Sequence, residues 1–251
     1  MTLLEKIELD IKGLQTINKF TIVILGNFNP AILHPEWFDR NQVLPPSEVR
    51  DLTEVKIEEP KGLEGIKIKF VSTNVFVSGI ETRLSLPSYR VNVTPERFDA
   101  STSKNEKYEE LAEFVAATFK ILEHTPVNAI GINFRSSLKS PKPARDLMNQ
   151  YFCGEPDILS SVFGKSYSID TKIGYDYNDS KVTLLLDIKE KDDEIDINFN
   201  YNKNFTEEQG TTELIKYLLD NFKPMMLSAD KTIRSLFLEP INGGEYRDKS
   251  A

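Results

Sequence analysis

Apolar and polar residues alternate along most of this chain, and where the alternation stops a three-to-four-residue periodicity replaces it. The first β-rich run, Ile17 to Leu25, is closed by Gly26 and Asn27 and predicts a strand. Asn29 is a good N-cap and Pro30 suits a first helical turn, so a helix is expected next, with Ile32, Leu33 and Trp37 on its apolar side. The Leu44-Pro45-Pro46 stretch ends it. Four short strands follow: Lys67 to Ser72, Val75 to Ile80, Thr82 to Leu86 and Tyr89 to Thr94. Each is bounded by the turn residues an antiparallel meander requires.

Ser103-Lys104-Asn105-Glu106 has the form of a capping box, and Tyr108, Leu111, Val115, Phe119 and Leu122 recur behind it at helical spacing. This predicts an amphipathic helix that Pro126 stops, with Ala129 to Phe134 as a strand leading out. A further Pro-started helix is expected from Pro141 or Pro143 to Phe152.

In the second half the alternation is clearer. Ile169, Thr171, Ile173, Tyr175 and Tyr177 share one face of a strand and Asp170, Lys172 and Asp176 the other. An Asn178-Asp179 turn returns the chain through Val182, Leu184, Leu186 and Ile188. A third strand turns Ile195, Ile197, Phe199 and Tyr201 inward and Glu194, Asp196 and Asn198 to water. Thr206 to Gln209 is a second capping box, opening a helix with Leu214, Leu218 and Phe222 on one face. Pro224 is expected to break or kink it before a last segment carrying Ile233, Leu236 and Phe237.

Runs of strands followed by helices argue for an α+β fold. Two antiparallel sheet-plus-amphipathic-helix halves are expected, residues 1–138 and 139–241, consistent with a duplicated unit, followed by a tail over 242–251 without stable structure. There is no Gly-rich strand-to-helix turn, which removes the phosphate cradle of dinucleotide-binding and P-loop enzymes.

The 251 residues carry 31 basic and 39 acidic side chains, a net charge of −8 with a pI near 5.0. That sign repels phosphate at long range and disfavours nucleic acid as a partner unless a local basic strip overrides the mean. The longest apolar run, Phe20 to Leu25, is far short of a membrane span, and Met1 to Asp10 lacks the layout of a secretory leader. With a single cysteine, Cys153, which can form no internal disulfide, the expectation is a cytoplasmic protein with no membrane partner.

The catalytic inventory is thin. His34 and His124 lie far apart and away from Cys153, so they read as structural residues and Cys153 as a buried thiol. One enzymatic pattern stands out. Asp187-Ile188-Lys189 puts a carboxylate and an amine on one face of a strand, and if Tyr177 pairs with Ser180, Asp170 falls opposite Asp187. Asp170 and Asp187 would hold Mg²⁺ or Mn²⁺ and Lys189 a water, as in a metal-dependent nuclease or phosphodiesterase. Solvated charge on an exposed meander is the simpler account. The Lys189 to Asp196 run lacks the Gly-centred loop of a calcium site. Lys139, Lys142 and Arg145 form a small basic cluster suited to a helix entry or an acidic partner. Trp37 and Phe38, with Phe28, concentrate aromatic side chains of the kind that anchor interfaces; the competing role is to staple the first helix to the sheet.

Arg90 to Thr94, the helix Lys107 to His124, and Thr125-Pro126-Val127-Asn128-Ala129-Ile130-Gly131-Ile132-Asn133-Phe134 follow one another in an order that resembles a sporadically distributed family of bacterial proteins of about this size. The likeness covers about residues 66 to 135 and its motif is structural. It implies a bacterial or phage origin, an α+β fold and an accessory role in a defence or toxin-related locus, and it supplies no catalytic residues. Together these features give a leading expectation of a non-enzymatic, cofactor-free protein that binds another protein or itself as a homo-oligomer through Trp37, Phe38 and Phe28.

Overall fold

The computed structural model describes residues 16–53, 56–58, 68–70, 74–139, 171–188, 194–206 and 210–238, with the backbone alone for 50–53, 56–58 and 68–70. In chain order the elements are β1 (Lys19–Gly26), a 3₁₀ turn (Pro30–Ile32), α1 (Pro35–Arg40), α2 (Pro46–Thr53), β2 (Lys56–Glu58), β3 (Ile68–Phe70), β4 (Val75–Val77), β5 (Thr82–Ser85), β6 (Arg90–Thr94) and β7 (Arg97–Thr102). They continue with a second 3₁₀ turn (Asn105–Lys107), α3 (Tyr108–Ile121), β8 (Val127–Lys139), β9 (Thr171–Tyr177), β10 (Ser180–Ile188), β11 (Glu194–Asn204), α4 (Gly210–Ile233) and a π turn (Arg234–Leu238).

Nine strands form one antiparallel sheet in the order β4-β5-β6-β7-β1-β8-β11-β10-β9, and β2 and β3 pair separately. The α+β expectation holds, and the two parts of the chain share a sheet. Their joint is the pair β1–β8, with Phe20 opposite Phe134 and Ile22 opposite Ile132. The expected boundary at residue 138 falls at the end of β8, whose other edge pairs with β11 from Lys139 to Ala129. At the end of β1 the register shifts by a bulge at Gly26. A Cβ there would lie 2.3 Å from the Pro126 carbonyl oxygen, so no other residue fits.

Alternation gives the sheet two unlike faces. Phe20, Ile22, Ile24, Phe98, Ile132, Phe134 and Tyr201 are buried on one. Against it lie α3, burying Leu111, Phe114, Val115 and Phe119, and α4, burying Leu214, Tyr217, Leu218 and Phe222. Phe20 at the sheet centre touches both helices, its ring 5.4 Å from Tyr108 and 6.0 Å from Phe222. Phe119 meets Phe98 edge-on at 5.2 Å. Each such ring contributes about 1.5–3 kcal/mol by leaving water.

Several local expectations are corrected. The helix after Asn29 is two pieces: Asn29 caps a 3₁₀ turn, accepting from the Ala31 amide at 3.2 Å, and α1 begins only at Pro35, because Pro35 has no amide to continue the first turn. Ile32 consequently faces solvent. Ser103 does not cap α3; the 3₁₀ turn intervenes, and Thr102 Oγ1 accepts from the Lys104 amide instead. The helix through Pro224 is continuous to Ile233. His124 lies beyond the end of α3, exposed, and not in its last turn. The predicted Lys67 to Ser72 strand is the three-residue β3, outside the large sheet. Strand β7 was not expected, and it is the strand that joins the meander to β1. The predicted helix near 141–152, Cys153, Lys142, Arg145, residues 189–193 of the acidic run and the tail lie outside the described residues, as do residues 207–209 of the second capping box.

Candidate binding face

The face of the sheet turned away from α3 and α4 is built from the other half of each alternation. Its most ordered feature is a row of uncharged hydrogen-bonding side chains crossing five strands. Ser101 pairs with Thr21, Thr21 with Asn133, Asn133 with Asn200, and Asn200 with Thr183. Arg90 of β6 heads the row opposite Ser101. Within it, the Asn200 amide donates to Asn133 Oδ1 at 2.6 Å. The Asn133 amide donates to the carbonyls of Thr21 (3.3 Å) and Gly131 (3.1 Å), so Asn133 is held by the backbone it stands on.

Two residues along each strand, Gly131 lies between Val23 and Asn202. With no side chain of its own it leaves a shallow groove of about 380 Å³, walled by Thr21, Val23, Asn133, Asn200 and Asn202, with Lys19, Arg97 and Arg135 among the residues at its sides. A Cβ at Gly131 would touch the Asn133 and Asn200 amides at 3.4 and 3.5 Å. A glycine inside a strand marks a place where something can approach the backbone closely.

Charges on this face are largely paired. Arg97 makes a two-pronged contact with Asp99, both bonds 2.7 Å, and that carboxylate holds the guanidinium above its ordinary pKa. Lys181 reaches Asp176 at 2.6 Å. Arg135 of β8 bonds the carboxylate of Asp196 on β11. This last contact corrects the expectation that Asp196 faces water: it is 5% exposed, beneath the arginine.

The residues singled out in the sequence fall elsewhere. Phe28 is 6% and Phe38 0% exposed, packed on Phe119 at 5.9 Å and Phe114 at 5.6 Å, while Trp37 lies half-buried edge-on to Phe38. Two of the three expected anchors are therefore core side chains that fasten α1 and the chain before it onto α3. His34 precedes α1 and its Nδ1 is 2.8 Å from Glu36 Oε2. Glu36 is held below the ordinary carboxylate range by its own backbone amide and by His34.

Tyr177 does pair with Ser180 across the Asn178-Asp179 turn, Asn178 taking the left-handed φ of 49° that an asparagine tolerates. Asp170 and Lys189 lie outside the described residues. Asp187 is exposed, and the residue directly opposite it on β11 is Asp196. Among the described residues no group of three or more His, Cys, Asp or Glu side chains is placed to hold a metal ion. None of the described helices is long and apolar enough to cross a membrane.

Neither Thr21, Asn133 nor Asn200 was singled out in the sequence. Each is polar at an outward position, but the row exists only because Asn133 lies 112 residues from Thr21 and 67 from Asn200 and is brought beside both, and no local pattern carries that register. No protein-family model matches this chain, and no curated protein resembles it in sequence.

Proposed function

We propose that this is a non-enzymatic binding protein that holds a macromolecular partner on the open face of its sheet. The observation that carries the reading is the Ser101–Thr21–Asn133–Asn200–Thr183 row with the groove at Gly131 beside it. A row of uncharged donors and acceptors spread over five strands matches an extended ligand better than a single reacting bond. The inward-facing half of the same strands has its partner already, in α3 and α4. Trp37 contributes only a half-exposed side, so the contact surface is moved from the aromatic helix to the sheet.

The reading extends to a duplicated origin. In each part a lone strand (β1 or β8) is followed by an antiparallel meander, of four strands in the first part (β4–β7) and three in the second (β9–β11), whose last strand returns to pair with it, and then by a helix. The two helices carry one pattern: Leu111, Phe114, Val115 and Phe119 in α3, and Leu214, Tyr217, Leu218 and Phe222 in α4. Two such units joined by β1 and β8 would create the wide face that neither has alone. The likeness of residues 66 to 135 to a sporadic bacterial family supports an accessory role, with binding as the contribution to a defence or toxin-related system.

Selection against the purified protein tests the reading. Random-peptide phage and random oligonucleotide pools are enriched on the wild type, then challenged with Asn200→Trp on the open face and Leu219→Ala on the helix side. Binders of the wild type should fail on Asn200→Trp and persist on Leu219→Ala. Binders that persist on both variants, or fail only on Leu219→Ala, would show that the partner sits elsewhere.

A further inference from the structure

We infer that the partner of this face is double-stranded RNA, an inference that rests on the binding-face reading above. Although the whole chain carries a net charge of −8, the open face departs from that sign. Of its carboxylates, Asp99, Asp176 and Asp196 are taken up by Arg97, Lys181 and Arg135 and Glu194 accepts from the Ser137 hydroxyl, while Asp187 stands exposed on β10. Lys19, Arg90 and Lys172 have no ion pair among the described residues and stand on β1, β6 and β9. Six inter-strand steps separate β6 from β9, about 29 Å along the sheet at about 4.8 Å each, so Arg90 and Lys172 bracket the uncharged row and Lys19 stands beside its middle. Spaced cations around a polar strip are complementary to a polymer with spaced phosphates, which binds by releasing its counterions.

Shape decides which polymer. The major groove of B-form DNA admits a helix or a two-stranded ribbon, not a face whose recognition row crosses five strands. Its minor groove is narrower still, and proteins that open it insert apolar wedges. Single strands are held by aromatic side chains on which bases stack. Among the described residues of the large sheet that face away from the helices the one aromatic is Phe76, on the edge strand β4 three strands outside Ser101 and with the Arg83 guanidinium 4.9 Å from its ring, so no stacking platform runs along the row. The minor groove of an A-form duplex is wide and shallow and displays 2′-hydroxyls and base edges. Ser, Thr and Asn both donate and accept, as a 2′-hydroxyl does. Arg90 and Lys172, at the two sides of the row, would meet the phosphates that border such a groove.

Fluorescence anisotropy on the full chain decides it, using an RNA duplex of roughly 20 base pairs, the DNA duplex of the same sequence, the single RNA strand, and heparin. The expected result is binding of the RNA duplex at least about tenfold tighter than each of the others, weakening as salt rises. Lys19→Glu/Arg90→Glu/Lys172→Glu should lose at least about tenfold and show a shallower salt dependence, whereas Lys120→Glu on α3 should change nothing. Asn133→Ala/Asn200→Ala should reduce the preference for RNA over DNA. Arg90→Glu alone, with an unchanged circular dichroism spectrum, separates lost contact from lost fold. No RNA binding, equal binding of the four probes, or binding unaltered by the triple charge reversal overturns the inference. A non-RNA ligand that fails on Asn200→Trp overturns the RNA assignment and leaves the binding face standing. The absence of any face-dependent ligand overturns both.

Discussion

Asp187 faces Asp196 directly across β10 and β11, and the guanidinium of Arg135, one strand further, bonds the Asp196 carboxylate. The acidic pair that β10 and β11 place together is therefore partly neutralised from within the sheet. Adding Mg²⁺ or Mn²⁺ should leave the thermal unfolding midpoint unmoved, since a metal present at a hundred times its Kd would add about 2.7 kcal/mol. A stoichiometric metal adduct in native mass spectrometry that Asp187→Asn abolishes would instead put the nuclease reading first.

Phe38 and Trp37 are neighbours in sequence and opposite in environment. Phe38→Ala removes a fully buried ring from between α1 and α3 and should cost about 3–5 kcal/mol in urea unfolding. Trp37→Ala should cost clearly less, because part of that side chain already meets water. Equal losses would mean that the whole aromatic pair is core.

The tyrosines give a pH dependence with a definite sign. Burial pushes the phenols of Tyr89, Tyr108 and Tyr201 well above their ordinary range, and those of Tyr175 and Tyr217 upward. Their folded forms stay protonated where the unfolded chain ionises. The contribution to stability is thus fully present below about pH 10 and declines as pH rises above it. In an absorbance titration these phenols should ionise together with loss of the circular dichroism signal. Their smooth ionisation near pH 10 in the folded protein would contradict the packing.

Asp230 on α4 is 7% exposed and ties three parts of the fold together. It accepts from the Thr16 hydroxyl and, at 2.7 Å, from Arg234 Nε, while the Thr16 carbonyl accepts from Ser136 of β8. Asp230→Ala should destabilise by about 2 kcal/mol, and Thr16→Val should add little to it. Additive losses in the double variant would show that the two side chains act independently.

Pro224 sits exposed in the interior of α4 and cannot donate to the carbonyl four residues before it. Pro224→Ala should restore that bond and raise stability by about 1–3 kcal/mol in denaturant unfolding, with the Tyr177 hydroxyl still able to donate to the carbonyl at 224, now 3.4 Å away. A loss of stability would mean that proline itself is needed at this position for the helix to pack on the sheet.

The legible parts of the fold were those whose pattern is local. The apolar stripes of α3 and α4 and the alternation through β9, β10 and β11 came through because each is repeated several times within one element. Strand β7 leaves little trace in the pattern because Ala100 and Thr102 supply its buried positions beside Phe98, a weak contrast with Asp99 and Ser101. The interruption between the 3₁₀ turn and α1 was written in Pro35, whose missing amide outweighed the apolar spacing around it. For the candidate site, residue types were visible and adjacency was not. Asp196 looked like a solvent-facing acid until β8 brought Arg135 over it, and the row through Thr21, Asn133 and Asn200 draws on segments up to about 180 residues apart.

The central position of β8 has a consequence for how the chain emerges from the ribosome. Strand β1 gains both its neighbours once residue 139 has been made, because β7, α3 and β8 follow one another with short connections. The far edge of β8 must then wait for β11, more than 50 residues later. At roughly 5–20 residues per second the nascent protein spends several seconds with a long strand edge open to any other chain. Slowing translation across residues 140 to 193 should therefore increase the insoluble fraction, while the finished protein is unchanged.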